Sequence, residues 1–329
     1  MTDMQIELVT PSPPDLIDGN RVTALRWQKI LTDLGHEVAL RNTYGGERCD
    51  MLIALHARKS LASINAFRDQ WPEAPLVVAL TGSDLYRDLP KSAEVVKVLD
   101  QATRLIVLHR RAVFELPEAA RARTWVIYQS AEAPDVRLAP PETHFQVAVV
   151  AHLRPQKDPF RAAMAVRKLP LSSRVQVHHA GRALDQKMEL KAKEEEKKNP
   201  RYKWLGELSH AKALRLIGSS HVVVIASQYE GGSNVLSEAL VAGVPVIVSR
   251  TSGLVGTMGD DYPAYFPVGD TSELARLIRR AETEDTFYQL LKDRAGRSAW
   301  LVRPEQERAS WQELVHEMSF RKTVQRSFF

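Results

Sequence analysis

The sequence predicts an α/β fold with two Rossmann-like domains, each built on a parallel sheet. The first observation is length, because 329 residues are too many for one ordinary hydrophobic core. The second is that short apolar segments alternate with helix-length segments from end to end, which is the pattern of successive βαβ units. The third is a proline-rich stretch at residues 131–144, which reads as a linker between two series of strands.

Apolar segments of strand length define the two domains. In the first half they are residues 5–10, 37–41, 51–55, 76–80, 104–108 and 125–128, and in the second half 145–151, 175–179, 202–205, 222–226 and 246–249. An amphipathic helix follows Pro304, too late to serve the second sheet. We therefore predict an N-terminal domain of residues 1–140, a C-terminal domain of residues 141–304, and a last helix, 305–329, that crosses back onto the first domain.

Composition and charge are those of a globular protein, with 44% hydrophobic and 26% charged residues. The net charge of +5 comes from basic residues spread among acidic ones, so we expect no nucleic-acid partner. The longest apolar runs have strand length and the N-terminus lacks signal-peptide features, so we expect a cytoplasmic protein without a membrane span. With Cys49 as the only cysteine and no zinc-site spacing, we expect no disulfide and no metal.

The residues that follow each predicted strand are the candidate site, because open parallel sheets bind ligands at the carboxyl ends of their strands. After the first-half strands stand Gly19, Asn20, Arg21, His56, Arg58, Thr81, Asp84, His109, Arg110 and Gln129. After the second-half strands stand His152, Arg154, Lys157, Gly206, Leu208 and the segment 227–234. Cations and small residues dominate both sets. Two such edges facing each other across a cleft would bind an anionic donor and an anionic acceptor.

The strongest single segment is 227–253, SQYEGGSNVLSEALVAGVPVIVSRTSG. It predicts a strand, a loop and a helix start formed by Glu230, Gly231, Gly232, Ser233 and Asn234. Either Ser233 or Asn234 is able to cap the helix, and the exposed N–H groups there would face a pyrophosphate that the glycines allow to approach closely. Glu238 lies one turn into the helix, where its carboxylate is able to accept two hydrogen bonds from a ribose diol.

The spacing of Glu230 and Glu238, followed by Gly-Val-Pro-Val at 243–246, resembles the E-x7-E signature of retaining GT-B glycosyltransferases of the sucrose-synthase-like group. The resemblance covers residues 145 to about 270. It implies two facing Rossmann-like domains with a central cleft, and a nucleotide-sugar bound chiefly by the second domain. It also implies that Glu238 binds the ribose, that Glu230 lies near the donor sugar, and that residues 231–234 line the diphosphate site.

A basic loop at residues 151–158, Ala-His-Leu-Arg-Pro-Gln-Lys-Asp, also resembles that family. Lys157 matches its diphosphate-binding lysine. His152 stands where the family usually has arginine, and Arg154 is displaced by two positions. We favour Arg154 for neutralising phosphate because it is a permanent cation, whereas His152 is equally interpreted as a ligand or as a satisfied loop histidine. The catalytic candidates are therefore Lys157, Arg154 and Glu230.

A further set of segments resembles the SenB-like selenosugar synthases of selenoneine biosynthesis over nearly the whole chain. These segments are PSPP at 11–14, GNRVTALRW at 19–27, LHAR at 55–58, LTGSDLYRD at 80–88, VIYQS at 126–130, HLR at 152–154 and YFPVGDT at 265–271. The resemblance implies that selenophosphate is joined to the anomeric carbon of a UDP-sugar, typically UDP-N-acetylglucosamine. UDP and phosphate are released, and no cofactor is implied.

Selenophosphate is already anionic, so its site needs cations rather than a general base. The first-half cations Arg21, His56, Arg58, His109 and Arg110 are the predicted acceptor site, together with Gly19, Asn20, Thr81, Asp84 and Gln129. Asp84 has three open roles, which are orienting a cation, binding a sugar hydroxyl and stabilising a turn. The alternatives are a conventional glycosyltransferase with a hydroxyl acceptor, a nucleotide-sugar epimerase of the GT-B type, and an inactive GT-B protein that senses a nucleotide-sugar. Protein partners are left open.

Overall fold

The computed structural model describes residues 3–15, 18–134 and 138–326. The chain divides into two compact units, which we call unit 1 (Met1–Gln129 with Pro304–Phe329) and unit 2 (Ser130–Arg303). Part of the proline-rich stretch, 135–137, and the last residues of the predicted final helix, 327–329, lie outside the described residues. In the described part of the chain, no helix is long and apolar enough to cross a membrane.

Unit 1 contains a six-stranded parallel sheet in the order β2-β1-β3-β4-β5-β6. The strands are β1 (Gln5–Val9), β2 (Glu37–Arg41), β3 (Met51–Leu55), β4 (Leu76–Leu80), β5 (Arg104–Val107) and β6 (Thr124–Val126). The helices are α1 (Gly19–Asp33), α2 (Leu61–Gln70), α3 (Ala93–Gln101) and α4 (Glu118–Arg121), with a π-turn at Asp84–Asp88 and 3₁₀ turns at Leu89–Lys91 and Arg110–Glu115. Strands β3 and β4 are buried at every position, as expected for central strands covered on both faces.

The C-terminal helix α12 (Pro304–Arg326) packs onto unit 1 rather than onto the unit that precedes it in sequence. Its Trp311 meets Trp27 of α1 edge-to-face, with ring centroids 4.9 Å apart, and both indoles are fully buried. The Glu307 carboxylate accepts hydrogen bonds from Arg26 Nε and Trp27 Nε1, each at 2.7 Å. A buried aromatic pair and a charge-assisted contact therefore attach this helix to α1.

Unit 2 contains a second six-stranded parallel sheet, in the order β12-β11-β10-β7-β8-β9. The strands are β7 (Phe145–Val150), β8 (Val175–Ala180), β9 (Tyr202–Trp204), β10 (Val222–Ile225), β11 (Val246–Ser249) and β12 (Tyr265–Phe266). The helices are α5 (Arg161–Val166), α6 (Gln186–Lys198), α7 (His210–Gly218), α8 (Asn234–Val241), α9 (Ser252–Met258), α10 (Thr271–Thr283) and α11 (Asp285–Ser298), with 3₁₀ turns at Pro155–Lys157 and Ala299–Val302.

The predicted fold class, two Rossmann-like α/β sheets, is confirmed, but the two sheets are not copies of one topology. In unit 2 the strand order reverses between β7 and β10, as in dinucleotide-binding Rossmann sheets. In unit 1 it reverses between β1 and β3, as in flavodoxin-like sheets. Ligands of such sheets bind where the order reverses, so each unit has one preferred edge for a site.

Candidate active site

A small pocket lies in unit 2 beside the carboxyl ends of β7 and β10, which is where its strand order reverses. Its polar lining includes Lys157, Asp158, Ser227, Glu230 and Ser233. Apolar residues of the two strands form much of the remaining wall. The pocket therefore combines the topological position of a nucleotide site with charged groups of both signs.

Two of the three catalytic candidates, Lys157 and Glu230, contact each other in this pocket. Lys157 ends the 3₁₀ turn after β7, and its Nζ lies 2.5 Å from Glu230 Oε1. The Ser227 hydroxyl donates to the same oxygen at 2.6 Å. The Lys157 and Glu230 side chains are only 23% and 8% exposed, so the ion pair is partly shielded from water. Lys157 and Glu230 lie on separate loops and meet only through their side chains. Each side chain is therefore able to exchange this contact for a ligand group.

Close backbone packing fixes the loop that carries Glu230. A Cβ added at Gly253 of α9 would lie 2.0 Å from the Glu230 carbonyl oxygen, so only glycine fits there. The amide of Gln228 donates to the Gln156 carbonyl at 2.8 Å, which joins this loop to the Lys157 turn. Sequence analysis placed both Ser227 and Gly253 in the segment it singled out but predicted neither of these contacts.

Helix α8 begins as the sequence predicts, and Ser233 is the residue that caps it. Its hydroxyl accepts a hydrogen bond from the Leu236 amide at 3.3 Å, and Asn234 is the first helical residue. Gly231 is buried, whereas Gly232, Ser233 and Asn234 are partly exposed. The start of α8 thus presents accessible backbone beside the pocket, as anion binding at a helix N-terminus requires.

Glu238 lies on the first turns of α8 and contacts α7 through its carboxylate. Oε1 accepts a hydrogen bond from Nε2 of His210 at 3.1 Å, and this contact raises the pKa of His210. His210 is the first residue of α7 and follows the loop that contains the candidates Gly206 and Leu208. The structure therefore brings Glu238 to that loop through a histidine that sequence analysis did not consider.

Arg154 and His152 lie on the loop between β7 and the Lys157 turn and are both partly buried. The Gln156 side-chain amide has one orientation in which its oxygen and nitrogen both face suitable partners. In that orientation the Gln156 oxygen accepts hydrogen bonds from Nε and Nη1 of Arg154 at 3.2 and 3.3 Å. Nδ1 of His152 accepts from the Arg182 amide at 3.1 Å. Of the two interpretations of His152, this backbone contact is the one expected of a loop-stabilising histidine.

In unit 1, Asp84 is fully buried and its carboxylate binds backbone rather than facing solvent. It accepts from the amides of Ala57 (3.0 Å), Thr81 (3.0 Å), Gly82 (2.8 Å) and Leu85 (3.1 Å). These amides belong to the loops after β3 and β4 and to the π-turn that follows β4. Of the three roles open for Asp84, this geometry supports turn stabilisation.

His56 and His109, predicted as cations of the acceptor site, are buried in the structure. Their side chains are almost completely buried, and this burial lowers the pKa of both, that of His109 to about 4. Nε2 of His56 lies 2.7 Å from Ser83 Oγ, and Nε2 of His109 lies 2.6 Å from the Tyr86 hydroxyl. His56 also has a φ of 66°, a left-handed backbone that is uncommon outside glycine.

The permanent cations at the unit 1 edge are the arginines. Arg58 is 57% exposed and forms an ion pair of 2.9 Å with Asp88, and Arg110 is exposed. Arg21 lies in the first turn of α1 with Gly19 and Asn20, and no described residue accepts a hydrogen bond from its guanidinium. Gln129 is instead buried, and its amide donates to Thr23 Oγ1 at 2.5 Å.

Solved glycosyltransferase structures are similar to this chain over most of its length. HepE from Anabaena, in complex with UDP and glucose, has a TM-score of 0.75 at 16% identity, covering 95% of this chain and 100% of that chain. Sucrose-phosphate synthase from Thermosynechococcus elongatus has a TM-score of 0.77 at 14% identity, covering 95% and 98%. A glycosyltransferase from Rickettsia africae has a TM-score of 0.75 at 13% identity, covering 97% and 99%. At these identities the likeness establishes the fold, which is GT-B.

Sequence comparison adds the family. No curated protein matches the chain significantly. The sequence model of the family described as glycosyl transferases group 1 matches residues 131–297, which is more than half of the chain and includes the whole pocket of unit 2. The protein is therefore a member of the glycosyl transferases group 1, a glycosyltransferase with the GT-B fold.

Proposed function

We propose that this glycosyltransferase takes a UDP-sugar as donor and holds it in the pocket of unit 2. The observation that carries the proposal is the Lys157–Glu230 pair in the pocket where the strand order reverses, beside the α8 helix start. The similar HepE was crystallised with UDP and with UDP-glucose, which supports this donor class. Glu238 would accept hydrogen bonds from the ribose diol, and Gly206 and Leu208 lie on the loop before α7.

Lys157 would act on the leaving group. Negative charge on the diphosphate grows as the bond to the sugar breaks, and a cation placed there stabilises the transition state more than the bound donor. In the structure this ammonium is paired with Glu230. Donor binding would exchange that partner for a diphosphate oxygen and release Glu230 towards the sugar. Arg154 and the α8 helix start would supply the remaining positive potential.

The acceptor that we propose is selenophosphate, on the strength of the whole-chain resemblance to selenosugar synthases. The selenium lone pair forms a bond to the anomeric carbon while the carbon–oxygen bond to UDP breaks and its electron pair leaves with the diphosphate. Water then cleaves the selenium–phosphorus bond, releasing phosphate and a sugar selenol. Arg21, Arg58 and Arg110 of unit 1 would bind this anion, because arginine is a permanent cation whereas burial lowers the pKa of His56 and His109.

A conventional glycosyltransferase with a hydroxyl acceptor is the second candidate, and one observation favours it. The observation is the family match, which supports glycosyl transfer in general and does not select a selenium acceptor. An ordinary alcohol acceptor needs a general base near its hydroxyl, whereas selenophosphate does not.

Mass spectrometry of the products separates these candidates. The purified enzyme is incubated with UDP-N-acetylglucosamine and either selenophosphate or a panel of neutral alcohols. We expect UDP, phosphate and a selenium-bearing sugar with selenophosphate, and little UDP release with alcohols. Efficient transfer to an alcohol with selenophosphate ignored would overturn the selenosugar assignment and leave the donor assignment intact.

Charge reversal at Arg21 tests the acceptor edge. Because no described residue neutralises its guanidinium, Arg21→Glu should raise KM for selenophosphate by about 10-fold or more, the scale of a lost charge-assisted contact. UDP affinity should change less than about 2-fold, and the effect should shrink at high salt. Lys97→Glu on the exposed face of α3 is the matched control. Equal KM values for Arg21→Glu and the control would place the acceptor elsewhere.

A further inference from the structure

His210 is the residue that holds the Glu238 carboxylate. Among the described residues, its Nε2 is the one hydrogen-bond donor to that carboxylate, at 3.1 Å from Oε1. The Glu238 side chain is 9% exposed, whereas that of His210 is 66% exposed. An almost buried carboxylate on α8 therefore takes its orientation from one side chain at the start of α7.

The surroundings distinguish this contact from an ordinary surface ion pair, which typically contributes between 0 and about 1 kcal/mol. One partner is nearly removed from water, which makes its hydrogen bond stronger and its loss more costly. His210 also follows directly after the loop 206–209, in which Gly206 adopts a φ of 67°. The contact thus ties the carboxylate on α8 to the backbone of a loop proposed to bind the donor.

We propose that His210 is a positioning residue for the donor nucleotide, which orients the Glu238 carboxylate so that its remaining lone pairs face the ribose diol. A carboxylate has about four lone-pair sites, and the histidine uses one of them, which leaves enough for two hydroxyl groups. The inference rests on the proposed role of Glu238 in binding ribose. It adds a residue that neither the E-x7-E spacing nor the Lys157 loop includes.

The role has a specific kinetic consequence. His210 contacts Glu238 rather than the Lys157–Glu230 pair, so its loss should weaken donor binding without slowing the chemical step. Binding that is equal in the ground state and the transition state affects KM and leaves kcat unchanged. A glutamine at this position keeps an N–H donor and should restore the contact.

A double-mutant cycle on UDP binding, measured by isothermal titration calorimetry, tests this. Relative to the wild type, His210→Ala should weaken UDP binding about 3- to 10-fold and Glu238→Ala about 10- to 100-fold, the scale of one neutral and of charged hydrogen bonds. In the Glu238→Ala background, His210→Ala should have no further effect. His210→Gln should bind UDP within about 2-fold of the wild type, as should the control Lys212→Ala on the exposed face of α7.

Each other outcome overturns the inference in a recognisable way. If His210→Ala weakens binding equally with and without Glu238, the histidine contacts the nucleotide directly and does not position the carboxylate. If His210→Ala binds UDP normally while Glu238→Ala does not, the positioning role is wrong and the donor site stands. If the wild type does not bind UDP, or Glu238→Ala binds it normally, the proposed donor site fails and this inference fails with it.

Discussion

The buried carboxylates of the two units differ in the groups that bind them. Asp84 of unit 1 accepts hydrogen bonds from four backbone amides. Glu230 and Glu238 of unit 2 are almost as buried, at 7% and 8% exposure, yet among the described residues only side chains donate to them. All three follow parallel strands in sequence, and all three were candidate site residues.

The difference separates carboxylates that hold the fold from carboxylates that are able to bind a ligand. A backbone amide cannot leave its acceptor unless its loop rearranges, so Asp84 is fixed as part of the unit 1 loops. A lysine ammonium or an imidazole is able to rotate to a new partner at small cost. Burial alone therefore does not identify a functional carboxylate, and the type of donor is the more informative observation.

Asp84→Ala should have the largest effect on stability and tests this distinction most directly. It leaves the amides of Ala57, Thr81 and Gly82 without an acceptor, whereas the Leu85 amide keeps the Gly82 carbonyl, so we expect the free energy of unfolding to fall by about 3–5 kcal/mol. Urea denaturation followed by circular dichroism measures the change. Glu238→Ala, which removes a carboxylate bound by one side chain, should lose less than about 1 kcal/mol. If Asp84→Ala has wild-type stability but does not turn over selenophosphate, Asp84 binds a ligand. The distinction between carboxylates bound by backbone and carboxylates bound by side chains would then be wrong.

Lys157→Ala should have the next largest effect, and it falls on catalysis. Removing the cation that stabilises a leaving diphosphate should lower kcat by about 10²- to 10³-fold, or about 2.7–4 kcal/mol. Affinity for the intact UDP-sugar should fall much less, because its diphosphate gains this extra negative charge only as the sugar bond breaks. Steady-state kinetics of UDP release measures both quantities, with the exposed Lys168→Ala as control. A raised KM for the UDP-sugar with normal kcat would mean that Lys157 contributes uniform binding only.

Local patterns in the sequence were sufficient to predict the fold class and the loop and helix start of α8. Buried central strands such as β3 and β10 are continuous apolar runs, and the start of α8 follows from Ser233 and the glycines before it. The two-residue strand β12 was not predicted because so short a segment has no periodicity. The order of the strands in each sheet was not predicted either, because it depends on which strands pair after each crossover and local sequence patterns do not show this.

The parts of the site that the sequence did not predict depend on contacts between distant residues. Lys157 and Glu230 are 73 positions apart, and His210 and Glu238 are 28 apart. The charge of His56 and His109 depends on burial beneath neighbouring loops, which no local pattern reveals. A histidine after a strand looks the same in sequence whether it is an exposed cation or a buried neutral ring.

Gly253→Ala should have a smaller effect on stability than Asp84→Ala, and it tests the comparison by moving a site carboxylate without removing it. The new methyl group would overlap the Glu230 carbonyl oxygen, which is backbone, so the loop itself must shift. We expect a loss of about 1–3 kcal/mol in the free energy of unfolding, typical of overpacking. Since misplacement by about 1 Å costs up to 10²-fold in rate, kcat/KM should fall by at least about 10-fold.

Gly296→Ala is the control, because a Cβ there meets no atom within 4 Å and should stabilise α11 by up to about 1 kcal/mol. Equal activity in the two variants would show that Glu230 tolerates displacement, and that the Lys157–Glu230 pair is a resting contact rather than a geometric requirement of the reaction.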